Sequence, residues 1–294
     1  MSSDPRLNTF ISGEKNPDTK VQIVGFPSDE GVARNGGRTG ASAAPSRIYK
    51  QLLRLTPHAS YAKNHIDLLQ KTFGFHELNC SGDVETDQEH LGDEIGSVLK
   101  EKNIPIILGG GHETSYGHFL GYVADDQPVS IINVDAHADV RNLKKGKAHS
   151  GSPFRQAIVH PSGICSSYSV FGLNPASVSQ DHFTYVNRNG TALYERDTTR
   201  KAVLSHLSGK TGSIMVTMDM DAVNQAQAPG VSAPNASGIA SDLWLELAFE
   251  FGKHPGVTSF DLCEVNPEYD RDDQTVKLAA LTIWYFLLGV SLRD

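Results

Sequence analysis

Cysteine is scarce in this chain of 294 residues, which has only Cys80, Cys165 and Cys263. An odd, sparse set builds no disulfide framework and suits a reducing compartment, so the cytoplasm is the expected location. Long apolar runs are missing as well. Met1 to Asp18 is polar and lacks the apolar segment of a secretory leader, and no uninterrupted apolar stretch further along is long enough to cross a membrane. There is no excess of positive charge. The 26 Lys and Arg stand against 34 Asp and Glu, a net charge of -8, which argues against nucleic acid as a partner. Low-complexity tracts, internal repeats and linkers are absent, so a single domain over 1–294 is expected, with 1–18 as a flexible N-terminal segment. The one glycine run, GGGHE at Gly109 to Glu113, lacks the Lys-Ser/Thr of a P-loop and the GxGxxG spacing of a dinucleotide loop.

What the chain does have is three short acidic or histidine-bearing segments: GGGHE, DAHAD at Asp135 to Asp139, and DMD at Asp219 to Asp221. Together they supply His112, Asp135, His137, Asp139, Asp219 and Asp221, enough to hold two cations. If the second and third segments are extended, Asp135, His137 and Asp139 point to one face, as do Asp219 and Asp221. Each segment follows a run that reads as a buried strand, over Ile104 to Leu108, Val129 to Val134 and Ile214 to Met218. The carboxyl ends of parallel strands are where α/β proteins assemble ligand sites from distant parts of the chain.

Taken singly, the segments are weak signals. Two aspartates around one residue also make a solvated turn or a helix cap, and glycines before a histidine can be no more than a tight turn. DxHxD is stronger, because three ionisable residues directly after an apolar run are costly without a counter-charge. Two histidines and four carboxylates with no thiolate form a hard, oxygen-rich set that suits manganese better than a cysteine-rich zinc site does. A water shared by two such cations is acidified into a nucleophile at neutral pH, so the chemistry implied is metal-assisted hydrolysis.

GGGHE, DAHAD and DMD, with PGVSAP at Pro229 to Pro234 and EVNP at Glu264 to Pro267, resemble the ureohydrolase family of arginases, agmatinases and formimidoylglutamases. NGGRTGA at Asn35 to Ala41 and SGSPFRQ at Ser150 to Gln156 are most similar to the formimidoylglutamase branch. The resemblance implies a three-layer αβα sandwich around a mostly parallel, arginase-like sheet, and two Mn2+ ions per subunit. By motif position, His112 and Asp139 would bind one ion and His137 and Asp221 the other, with Asp135 and Asp219 bridging. A bridging hydroxide would attack the amidine carbon, Asp139 would pass a proton to the leaving amine, and Glu264 would steady the cationic nitrogens of the substrate. The resemblance also implies a homo-oligomer, a trimer or hexamer, and a place in histidine breakdown.

The expected substrate of that branch, N-formimino-L-glutamate, carries two carboxylates and needs positive groups away from the metals. Arg141, Lys144, Lys145, Lys147 and Arg155 form such a basic rim in sequence, and the arginines are the better carboxylate holders because their planar fork donates two parallel hydrogen bonds. Asn35 and Ser150 are further substrate-binding candidates. His149 is a candidate proton shuttle, or an exposed loop histidine. Cys263 adjoins Glu264 but alternates away from it, as a small buried residue would. The alternatives are a guanidine hydrolase of the arginase or agmatinase type, whose loop histidine this chain lacks in register, a catalytically silent binding protein, and a deacetylase of the same architecture.

For the remaining elements, Val21 to Phe26 reads as the first strand and Pro45 as the start of a helix with Ile48, Leu52 and Leu53 on its apolar face. The pattern predicts a helix over Leu91 to Lys102, a strand over Ser169 to Gly172, and a helix over Thr199 to Leu207. A helix capped by Asp242 and running to Phe251, a strand over Val257 to Leu262, and a last helix opened by Asp273 and ending at Leu288 complete it. Asp181 to Asp197 reads as irregular. The βα alternation supports a parallel sheet.

Overall fold

The computed structural model describes residues 4–293. Among these, eight strands form one all-parallel sheet: β1 (Val21–Phe26), β2 (Thr72–Glu77), β3 (Ile104–Gly109), β4 (Val129–Val134), β5 (Cys165–Leu173), β6 (Ala192–Tyr194), β7 (Ser213–Asp219) and β8 (Val257–Cys263). Their spatial order is β2-β1-β3-β8-β7-β4-β5-β6. The helices between them are α1 (Glu30–Asn35), α2 (Ala44–Leu52), α3 (Ala62–Gln70), α4 (Val84–Lys100), α5 (Thr114–Ala124), α6 (Pro153–Ile158), α7 (Gln180–Asn189), α8 (Arg200–Ser208), α9 (Ser241–Lys253) and α10 (Gln274–Ser291).

Alternate residues of the buried strands feed two separate apolar cores. Ile106, Leu108, Ile132, Val134, Val216 and Met218 pack with residues of α2, α3, α8, α9 and α10 on one face. Val24, Ile107, Ile131 and Met215 pack on the other with Leu91 and Ile95 of α4 and Phe119 of α5. A strand covered on both faces is apolar at most positions, which is why β1, β3, β4 and β7 read as hydrophobic runs, while β8 sets buried Ser259 and Asp261 among Val257, Phe260, Leu262 and Cys263. The architecture is the expected three-layer αβα sandwich.

Several expectations need correction. Asp181 to Asp197 is not irregular: it contains α7 and the edge strand β6. Of α7 only Val186 is buried, so the helix has almost no apolar face to betray it; it starts where Ser179 accepts from the His182 N–H at 3.2 Å. The helix predicted from Leu91 begins seven residues earlier, after Asp83, which caps the Thr86 N–H at 3.1 Å. Asp242 lies inside the first turn of α9 rather than capping it. Asp273 sits at φ 53° and offers no side-chain cap; Asp270 instead accepts from the N–H groups of Thr275 and Val276 at 3.0 Å. Leu53 ends α2 half-buried, outside its apolar face.

The segment expected to be a flexible N-terminus is tied to the body of the fold. Leu7 is fully buried with its N–H on Leu55 O at 2.9 Å, and Ser12 bridges to Phe73. Met1 to Ser3 lie outside the described residues. α10 is long and apolar enough on average to cross a membrane, although Lys277 interrupts its apolar run, and 67% of its apolar window is buried in the fold, where it packs against α9, α2 and α3. Its length and composition are those of a core helix.

His65 of α3 is a buried cost within this core. Its Nδ1 accepts from the His58 N–H at 3.2 Å and its ring meets Trp284 edge-on at 5.3 Å, while Nε2 has no partner among the described residues. Burial first, and the nearby His58 second, push its pKa down to about 4. Between that value and the ordinary imidazole range the unfolded chain binds the extra proton, so stability falls as pH drops through this window. His65→Asn keeps an acceptor for His58 and removes the titration. The stability difference between wild type and variant, read from urea midpoints, is expected to shrink by up to about 2 kcal/mol between pH 7.5 and pH 5. An unchanged difference would show that His65 does not titrate on unfolding.

Candidate metal centre

Four neighbouring strands, β3, β8, β7 and β4, end side by side, and the loops after them carry the candidate residues. His112 follows β3, Asp135 follows β4, Asp219 closes β7 and Glu264 follows β8. The glycines before His112 allow a close approach to the end of β1. Gly110 N–H donates to Phe26 O at 2.9 Å and Gly111 N–H to Ser28 O at 2.8 Å, and a Cβ on Gly110 would stand 2.1 Å from Ser28 O. These N–H groups are spent on β1, so the run is a packing device and not a phosphate cradle.

The convergence of the acidic residues has a different cause from the one expected. Neither DAHAD nor DMD continues as an extended strand: the first is a bend with Asp139 at φ 46°, and the second enters a 3-10 turn over Met220–Ala222. In both, the first aspartate accepts from the N–H two residues on, His137 N–H to Asp135 Oδ1 and Asp221 N–H to Asp219 Oδ1, each at 2.7 Å. Two Asx turns, one at each of two adjacent strand ends, thus fold the ligand-bearing groups back over the sheet. Asp135 is further oriented by Asn133 Nδ2, which donates to its Oδ2 at 3.0 Å.

His112 Nδ1 lies 3.3 Å from Asp135 Oδ2, 3.0 Å from Asp139 Oδ2 and 3.0 Å from Asp219 Oδ2. One ligand atom from each of these four residues falls within 4.8 Å of all the others. The other oxygen of Asp135 faces a second group: His137 Nδ1 is 3.5 Å from Asp135 Oδ1 and 4.0 Å from Asp221 Oδ2. The carboxylate of Asp135 therefore stands between the two imidazoles. His112, Asp135, Asp219 and Asp221 are all at most 3% exposed.

Glu264, also at a left-handed φ of 66°, is fixed by its own backbone and side chain. Its N–H donates to Gly110 O at 2.7 Å and its Oε1 accepts from the His112 N–H at 2.6 Å, leaving Oε2 buried without a partner among the described residues. Left-handed backbone in two non-glycine residues, Asp139 and Glu264, costs energy that the surrounding contacts must override, a pattern that gathers at functional sites.

The electrostatics show a centre short of positive charge. Burial, then the charge of Asp135, pushes Asp219 up to about 6, and burial with the Asp219 charge raises Asp221 and Glu264 well above the usual carboxylate range. Burial opposes charging of His137, but the hydrogen bond and charge of Asp135 override it and raise the imidazole to about 10. Protons here do the work that a cation would do. The donor set, oxygen-rich and without thiolate, fits a pair of hard divalent ions.

A cavity of about 130 Å³ opens onto this cluster, lined among others by His137, Asp139, Asp219, Asp221, Ser232 and Glu264. It is also lined by three of the proposed substrate residues in one network: Arg141 Nη1 donates to Asn35 Oδ1 at 3.1 Å, and Asn35 Nδ2 to Ser150 Oγ at 3.2 Å.

Arg155 is not among the cavity-lining residues. Its Nε donates to Val140 O at 2.5 Å and its guanidinium stacks on Tyr185 at 4.1 Å, so it props the loop behind Asp139. His149 is neither exposed nor a cavity residue: it is 3% exposed, with Nε2 at 3.0 Å from Asn142 O and Nδ1 accepting from the Gly151 N–H at 3.1 Å. Both ring nitrogens are engaged in shaping the loop. The lysine rim is partly spent as well, since Lys147 lies within 3.8 Å of Asp83 and Glu85, and Lys144 Nζ donates to Arg34 O at 2.9 Å. Cys263 is fully buried, as expected.

The other family motifs have structural work in the same place. Ala233 N–H donates to Asp221 Oδ1 at 3.1 Å, and Asn266 Nδ2 donates to Thr39 O at 2.9 Å, tying the loop after β8 to the loop that follows α1 and its last residue, Asn35. The sequence reading did not single out Ser232, Glu113 or Asp261. Glu113 is fully buried, its Oε1 accepts from Gly31 N–H at 2.8 Å, and burial pushes its pKa up to about 7. Its place directly after His112 was the available signal.

A three-layer αβα protein with an acidic, imidazole-containing centre at the carboxyl ends of its middle strands is the class that fold and site define. The chain belongs to the arginase family, whose model matches residues 19–289. It is 35% identical to the formimidoylglutamase of Geobacillus thermodenitrificans (strain NG80-2) over 92% of this chain and 84% of the relative. It is 34% identical to that of Geobacillus sp. (strain WCH70), over 88% and 80%. Among solved structures it superposes on Trypanosoma cruzi formiminoglutamase with Mn2+2 at a TM-score of 0.90 and 28% identity, covering 99% of this chain and 100% of that one.

Because protons and cations compete for one buried cluster, cation binding must release protons and tighten as pH rises. Saturating Mn2+ is expected to raise the thermal midpoint above that of a chelated sample by at least about 5 °C at pH 8, with a smaller gain at pH 6. A midpoint indifferent to Mn2+ at both values would rule out a cation site in this cluster.

Proposed function

We propose that this chain is a manganese-dependent formimidoylglutamase, hydrolysing N-formimino-L-glutamate to L-glutamate and formamide. The observation that carries the reading is the cation-deficient cluster of His112, Asp135, His137, Asp139, Asp219 and Asp221, opening on a small cavity with Arg141 in its lining. His112 and Asp139 would hold one ion, His137 and Asp221 the other, with Asp135 and Asp219 shared. The position of Asp135 between the two imidazoles supports this division. Two divalent ions there would supply Lewis acidity and a water acidic enough to be a nucleophile at neutral pH.

The chain's own residues do the rest. Oε2 of Glu264, which has no hydrogen-bond partner among the described residues, is suited to accept an N–H of the planar amidinium and so orient the reacting carbon. Asp139, lining the cavity, is placed to carry a proton to the glutamate nitrogen as its bond to the formimino carbon breaks; the oxygen of water stays on that carbon as formamide. The Arg141, Asn35 and Ser150 network offers the donors that the two substrate carboxylates require. Agmatine, which has no carboxylate, would make no use of Arg141, and arginine has one carboxylate to offer it where N-formimino-L-glutamate has two. The relatives' names and the three free cysteines support a cytoplasmic enzyme of amino-acid breakdown, and family resemblance a homo-oligomer.

The test is release of glutamate from N-formimino-L-glutamate by Mn2+-loaded protein, with arginine and agmatine in parallel. Glutamate release alone is expected. Arg141→Ala is expected to raise KM about tenfold and leave kcat within a factor of about two. Urea from either guanidine would overturn the substrate assignment, and an unchanged KM would remove Arg141 from the site.

A further inference from the structure

On the α4 and α5 side of the sheet, most strands present apolar residues such as Val24, Ile107 and Ile131. The two central strands break this pattern. Thr217 of β7 and Ser259 and Asp261 of β8 face α5, which answers with Ser115, His118 and Tyr122, and all six residues are at most 1% exposed. Polar groups so deeply buried are costly unless each is hydrogen-bonded. Here each one is.

Asp261 is the hub. Thr217 Oγ1 donates to its Oδ1 at 2.7 Å, Ser115 Oγ lies 3.1 Å from both its oxygens, and His118 Nδ1 reaches Oδ2 at 2.6 Å. From His118 the chain runs on through Nε2 to Ser259 Oγ at 2.6 Å, and from there to Tyr122 Oη at 2.6 Å. In the other direction it runs from Thr217 Oγ1 to His112 Nε2, 2.9 Å away.

The proton count orients that last contact. A carboxylate only accepts, so the single hydroxyl proton of Thr217 is given to Asp261. Thr217 Oγ1 must then accept from His112, which places a proton on Nε2 and makes Nδ1, the nitrogen within 3.3 Å of Asp135, Asp139 and Asp219, the one that can turn a lone pair to a cation once its own proton is displaced. A ligating imidazole needs its second nitrogen held in this way.

We propose that Thr217 and Asp261 are positioning residues for His112, fixing its ring orientation and tautomer through the hydrogen bond at Nε2. The inference rests on His112 being a metal ligand, as in the functional reading above. No other proposed ligand touches this polar seam, so its loss acts on one of the two ions.

Equilibrium binding of Mn2+ alone, followed by the paramagnetic resonance signal of the free ion, tests it on the full chain. Wild type is expected to bind two ions. Thr217→Val, isosteric but without a hydroxyl, should weaken one of them about 10- to 100-fold and spare the other, while Thr217→Ser should restore affinity to within about twofold. Should Thr217→Val not fold, Asp261→Asn, which keeps the shape and removes the charge, should cause the same one-site loss. Wild-type affinity at both sites in Thr217→Val, equal weakening of both ions, or failure of serine to rescue would overturn the proposal. No Mn2+ binding by the wild type would instead remove the functional reading, and the proposal with it.

Discussion

Everything at the working end of this molecule follows from crowding buried carboxylates where there is too little positive charge to balance them. Asp135, Asp219 and Asp221 are shielded from water, Glu264 has an oxygen with no partner among the described residues, and the cations within reach are two imidazoles. Such an arrangement is unfavourable by itself. It becomes favourable when divalent cations replace the protons, and the fold is built to keep the carboxylates together until they do.

The scaffold supplies the force for this. A parallel sheet with apolar cores on both faces fixes the four central strand ends next to one another, and their loops have little freedom to move apart. Gly110 lets the β3 loop press against β1, Asn266 ties the β8 loop to the loop after Asn35, and Arg155 holds the backbone next to Asp139. Left-handed conformations at Asp139 and Glu264 are the local cost of aiming both carboxylates inward. On the α5 side the scaffold gives up apolar packing at Thr217, Ser259 and Asp261, and the polar seam they form leads to His112.

Much of this was legible in the sequence, for physical reasons. Strands buried on both faces betray themselves by mostly apolar residues, so β1, β3, β4 and β7, and even β8 with its Ser259 and Asp261, could be placed together with the residues just after them. Edge and surface elements could not: β2 and β6 lie at the sheet margins, and α7 buries one residue. The six clustered side chains were readable as motifs, but the cause of their convergence was not, because an Asx turn and a strand end can carry the same DxD. Neighbourhood in sequence also misled. Arg155 sits in a branch-marking motif and His149 directly before it, yet both turn polar atoms onto the backbone, where no composition argument could put them. Asp261 escaped notice because its partners come from β7 and α5, although the polar residues Ser115, His118 and Tyr122 at helical spacing were a visible stripe on an otherwise apolar helix.

These carboxylates and imidazoles are arranged to hold two cations close enough to share ligands. Low-temperature paramagnetic resonance of the fully Mn2+-loaded protein tests this arrangement most directly. The spectrum of an exchange-coupled pair is expected, because Asp135 lies between the two imidazole groups. Spectra of isolated Mn2+ ions at full loading would contradict it.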